Sequence, residues 1–171
     1  AGVLKGVSNI VKNTLSTGDE IDKASQRLGM SAQAYQEWKY VLGQSGMEIS
    51  SLEMGMKTLR TQMDAAADPN SDAAKTFKQL GVSVRDAEGN LRSAEDVFKE
   101  LVMAMTAMED NTDKELIAQT LFGRSGTDML PMLKDTTENI FGLIDQAHAL
   151  DLIMSDESVK AAVNLGDTID A

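Results

Sequence analysis

Cysteine is absent from the 171-residue chain, so disulfides, thiolate metal sites and cysteine nucleophiles are excluded outright. Histidine occurs once, at His148, which rules out a multi-histidine metal site within one chain. Aromatic residues make up only 4% of the chain, whereas methionine occurs 11 times. A core of that composition relies on flexible aliphatic side chains. Enzyme pockets call for more aromatic lining and more converging polar groups, so no catalysis is expected. Basic residues are scarce too: 16 against 27 acidic ones, for a formal net charge of −11. Phosphate neutralisation needs clustered Lys and Arg, and a lipid-surface helix needs a basic polar face. No specific nucleic-acid binding by this domain is therefore expected. No apolar run approaches the roughly 18 residues that a membrane span requires.

What is present is helical periodicity. Val3, Leu4, Val7, Ile10, Val11 and Leu15 recur at helical spacing, and Thr17-Gly18-Asp19 then bends or breaks the run. Ile21, Ala24, Ser25 and Leu28 mark a second helix closed by Gly29. Ser31 is placed to cap a third, with Tyr35, Trp38, Val41 and Leu42 on one face. Beyond Gly43 and Gly46, the residues Ile49, Leu52, Met56, Leu59 and Met63 alternate three and four apart, a heptad-like seam. That stripe is a candidate core seam or a candidate self-association face.

Asp68-Pro69-Asn70 ends that element, and Ser71 starts a short helix through Phe77 and Leu80. A strand signal lies between Val82 and Leu91, around the turn-rich Asp86-Ala87-Glu88-Gly89-Asn90, and predicts a small β-hairpin near residues 82–92. Ser93 caps a strongly amphipathic helix carrying Val97, Phe98, Leu101, Val102, Met105 and Met108. Thr112 and Glu115 have the spacing of a capping box for the next helix. Gly123-Arg124-Ser125-Gly126 interrupts it, with a restart expected at Thr127-Asp128. Further helices carry Ile140, Leu143, Ile144, Ala147 and Leu150, and then Val159, Val163 and Ile169 from a start at Ser155.

The fold class expected is mainly α: a compact multi-helix bundle with one small hairpin, its terminal helices cut in mid-pattern. Residues 1–16 read as the end of a long helix leading in, 17–154 as the compact domain, and 155–171 as the start of a long helix leading out.

Chemical constellations are sparse. Asp145 and Asp151 flank His148 at three residues on either side and could orient it as a general base. No nucleophile accompanies them, and a histidine paired with a carboxylate is the simpler reading. Asp19-Glu20-Asp22 and Asp167-Asp170 lack the alternating spacing of a calcium loop and read as acidic helix ends. Gly123-Arg124-Ser125-Gly126 has no preceding strand and no Gly-Lys-Ser/Thr ending, so it reads as a tight helical corner. No cofactor and no metal are called for. The methionines fit core filling, or else an adaptable groove for a partner helix, as in a cytoplasmic adaptor or regulatory module.

The stretch Leu121-Phe122-Gly123-Arg124-Ser125-Gly126-Thr127-Asp128-Met129-Leu130-Pro131-Met132-Leu133 resembles a segment of the tail tape measure proteins of long-tailed bacteriophages and prophages. Those proteins carry a similar Leu-Phe-Gly, a further Gly, and a Leu-Pro-Leu-Leu-like run. The surroundings agree in order: Leu28-Gly29-Met30-Ser31, then Phe77 to Ser83 as Phe-x-x-Leu-Gly-Val-Ser, then Ser155-Asp156-Glu157. The resemblance implies a structural role: a domain of a long helical protein that lies in the tail tube, sets tail length and leaves ahead of the DNA at infection. It places the family motif on Leu121, Phe122, Gly123, Gly126, Leu130, Pro131 and Leu133. The partners implied are other copies of itself, tail tube and tail-tip proteins, and tail assembly chaperones. The implied location is the tail lumen of the virion, after synthesis in the host cytoplasm.

Overall fold

The computed structural model describes residues 17–170. The expected leading-in helix over residues 1–16 lies outside them. The described chain is mainly helical: α1 over residues 17–28, α2 Ala32–Gln44, α3 Ile49–Ala65, α4 Asp72–Leu80, α5 Ala94–Thr106, α6 Thr112–Phe122, α7 Arg124–Leu133, α8 Thr137–Ala149 and α9 Asp156–Asp170.

Local signals set most of these boundaries. The side chains of Ser31, Ser71 and Ser93 each accept a hydrogen bond from the N–H three residues on, satisfying one of the orphan donors of α2, α4 and α5. α6 departs from expectation. Its cap is Asn111, whose side chain accepts from the Lys114 N–H, and Thr112 is already helical. Asn caps at least as well as Thr, so the helix starts one residue earlier. α7 likewise resumes at Arg124 rather than at Thr127, because Gly123 alone makes the break.

The expected hairpin is not formed. Among the described residues there is no strand, only a single antiparallel bridge between Arg85 and Leu91. Between Gly81, which ends α4, and Ser93, which caps α5, backbone pairing goes no further than that bridge and the Arg92 N–H donating to the Val84 carbonyl at 2.9 Å. Within the loop, Asp86 takes over the turn: its side chain accepts from the Asn90 N–H at 2.8 Å and its own N–H donates to the Asn90 carbonyl at 2.9 Å. Such a carboxylate-closed turn needs no ladder beyond it.

α3 is the hub, touching α2, α4, α5, α6 and α7. Around it the core is Leu, Met and Val, with Leu52, Met56, Leu59, Leu101, Met105, Met129 and Met132 all at 0% exposure. The few rings are concentrated in one chain of edge-to-face contacts. Trp38 of α2 meets Phe98 of α5 at 4.9 Å between centroids, and Phe98 meets Phe122 of α6 at 5.8 Å. α9 buries Val159 but leaves Ile169 62% exposed, against the expectation that both would be covered. Its final turns run past the elements that cover Val159.

Candidate functional site

The sequence motif folds into the tightest helix pair of the molecule, the α6–α7 hairpin. Leu121 and Phe122 end α6 in the core, and Leu133 ends α7 there. Gly123 joins the helices at φ +63°, a conformation that L side chains rarely adopt. Gly126 lets the two backbones touch: a Cβ built on it would lie 2.1 Å from the Ala118 carbonyl oxygen. Leu130 is half-buried, and Pro131 is exposed in the last turn of α7, where its missing N–H removes one hydrogen bond near the helix end. The hairpin lies on α3, with Gly55 against Met129, Phe122 and Ser125. Thus the motif encodes a packing geometry: one chain reversal, one backbone contact and three buried anchors.

The α3 stripe is the other half of that contact. Leu52, Met56, Leu59 and Met63 are at most 1% exposed, and Ile49 is half-buried. α6 and α7 cover this face within the same chain. Of the two readings of the stripe, the core seam is therefore what the structure places here. The methionines follow suit: Met30, Met56, Met63, Met105, Met129 and Met132 are buried, with Met54 and Met103 exposed.

Polar contacts over long sequence separations position the remaining elements. His148 Nε2 lies 2.6 Å from Glu37 Oε1, on a helix 111 residues away, rather than on Asp145 or Asp151. The N-terminus of α2 gathers two carboxylates. Glu95 accepts from the Ser31 N–H at 2.7 Å, and Asp156 accepts from the Gln33 N–H at 2.9 Å. Both complement the positive end of the helix dipole. Arg60 caps the other end of α1, donating to the Leu28 carbonyl at 2.6 Å and the Arg27 carbonyl at 3.1 Å. Lys114 is 1% exposed yet ion-pairs at 2.8 Å with Asp110, whose side chain is half exposed. Asp110–Lys114 is a local i,i+4 pair; the others join residues far apart in the chain, and nothing in either neighbourhood signals a partner.

An open cleft of about 580 Å³ lies between α1, α2 and residues 152–154, lined by Ile21, Tyr35, Lys39, Tyr40, Leu152 and Met154 among others. Burial pushes the Tyr35 phenol above its ordinary value. Asp19 and Asp22, expected at a helix end, are engaged locally: Asp19 holds Lys23 at 2.7 Å and Asp22 holds Gln26 at 2.6 Å. The hydrogen bond from Lys23 to Asp19 raises the lysine above its ordinary value. Among the described residues no group of three or more His, Asp or Glu side chains is placed to hold a metal, and no helix is long and apolar enough to cross a membrane.

Residues 57–123 match the family model described as phage-related minor tail protein. The match runs from the middle of α3 through α4, α5 and α6 to the glycine of the hairpin, so it covers the second half of the hub and three of the five helices that touch it. It supports a phage tail protein with a structural role in the virion. No curated protein matches, and no solved structure matches.

Proposed function

We propose that the chain is a structural domain of a phage tail tape measure protein, acting in tail length determination and assembly and in the passage of DNA at infection. The match of residues 57–123 to a phage tail family is the observation that supports this most. The motif that carries the resemblance to tape measure proteins begins within that match, at Leu121, and continues through α7 to Leu133. The role assigned is packing and assembly, without catalysis and without a cofactor. The partners proposed are the tail tube, tail-tip proteins, assembly chaperones and further copies of the protein. An excess of acidic groups suits a protein that shares a tube with DNA, because like charges repel within a Debye length of about 8 Å at physiological salt.

An epitope inserted beside Gly89, in the exposed Asp86–Asn90 loop, tests the location in the full-length phage protein. The proposal predicts tag in purified virions that antibody reaches only after tail disassembly or ejection. Labelling along the outside of intact tails, or no tag in virions, contradicts it.

A further inference from the structure

The C-terminal part of the molecule is attached differently from the rest. The first turns of α8 are anchored in the core. Ile140 is 1% exposed, Phe141 stands edge-on to Trp38 at 6.4 Å, and Thr137 bonds to Thr106 of α5. Beyond Phe141 the fully covered apolar residues are small, Ala147 and Val159 at 0% exposure and Ala162 at 8%, while the larger Leu143, Ile144 and Met154 are only partly buried against the core. α5, a single helix, buries six residues that include Phe98, Leu101 and Met105.

Polar groups supply much of the attachment to α2. Gln36, 8% exposed, donates to the Met154 carbonyl and accepts from the Met154 N–H, both at 2.9 Å. The next residue, Glu37, meets His148, and one helical turn back Asp156 holds the Gln33 N–H. Water can replace each of these partners on opening, so their net hold is modest. The apolar contacts of α3, α5, α6 and α7 have no such substitute. Asp151, in the connection between α8 and α9, sits at φ +53° and is the one non-glycine residue with positive φ among the described residues. Gly142 lies at the junction between the anchored and the polar part of α8, with nothing within 4 Å of a Cβ built there.

We propose that residues 143–170 form an arm that undocks from α2 as a unit while α3 to α7 remain folded, with Gln36 as its latch. The juxtaposition of small buried residues with a two-way side-chain grip on one backbone unit is the basis. Low apolar burial and exposed backbone hydrogen bonds mark segments that open below the global unfolding free energy.

Native-state hydrogen exchange on the whole chain tests this. Amides of residues 143–149 and 156–168 are expected to exchange at least about tenfold faster than those of α3 and α6. Gln36→Ala is expected to speed the arm by roughly another tenfold and leave α3 and α6 unchanged. Because the chain has no native cysteine, Glu37→Cys with His148→Cys can be bridged by a short bis-maleimide, which is expected to slow exchange of the arm toward that of α3. Arm amides as protected as those of α3 and α6, or a Gln36→Ala effect equal in all helices, overturns the proposal. So does a bridged protein whose arm exchanges as fast as before.

Discussion

Gly126 of α7 stands so close to Ala118 of α6 that a methyl group on it would lie 2.1 Å from the Ala118 carbonyl oxygen. The obstacle is backbone, which cannot rotate away. Gly126→Ala is therefore expected to lower the unfolding free energy by about 3 kcal/mol, the upper end of ordinary overpacking, read from urea midpoints. Gly142→Ala on α8 meets nothing within 4 Å and provides the contrast. It is expected to stabilise by roughly 0.5–1 kcal/mol, through helix propensity alone.

The α3 stripe makes a second prediction. Leu52→Asp places a charge where the side chain is wholly covered, and is expected to abolish the cooperative fold and most of the helicity seen by circular dichroism. Met54→Asp, two residues away and 63% exposed, is expected to leave stability within about 0.5 kcal/mol. A helical Leu52→Asp protein that merely loses oligomer mass would instead return this face to a contact between copies.

A third concerns pH. Arg92 donates to Glu100 at 3.0 Å and holds the carboxyl below its ordinary value, chiefly through that hydrogen bond. The stabilisation is full above the ordinary carboxylate range and is lost as the pH falls through the lowered value. Both side chains are partly exposed, Glu100 at 44%, so Glu100→Gln is expected to cost less than about 1 kcal/mol at pH 7. The difference from the unaltered chain should fade in acid unfolding series. A difference that grows as the pH falls would contradict this assignment.

Helix stripes and caps were legible because their causes are local. Ser31, Ser71 and Ser93 do what a serine before an apolar-periodic run does, and the 3–4 spacing of Leu52, Met56, Leu59 and Met63 names the buried face. The loop at Asp86–Asn90 was misread because turn residues and short apolar flanks suit both a hairpin and a side-chain-closed turn. What decides it is that Asp86 closes the loop on Asn90 and backbone pairing stops at Arg85 and Leu91. The polar grips were illegible for another reason. Gln36 and Met154 are 118 residues apart, and nothing in either neighbourhood marks a partner. His148 shows the same limit: two aspartates stand beside it in the sequence, but Glu37 reaches it in space.

The Leu121–Leu133 motif was conspicuous as residues, but its purpose emerged only in three dimensions. Gly123 turns the chain, Gly126 brings α7 against α6, and the buried leucines and Phe122 seat the pair on α3.

Tail length tests the account most directly. In the full-length phage protein, an in-frame duplication within a helical segment outside this domain is expected to lengthen tails in electron micrographs by about 1.5 Å per added residue, the rise of an α-helix. Tails of unchanged length, with the longer protein present in the virions, would contradict a tape measure role.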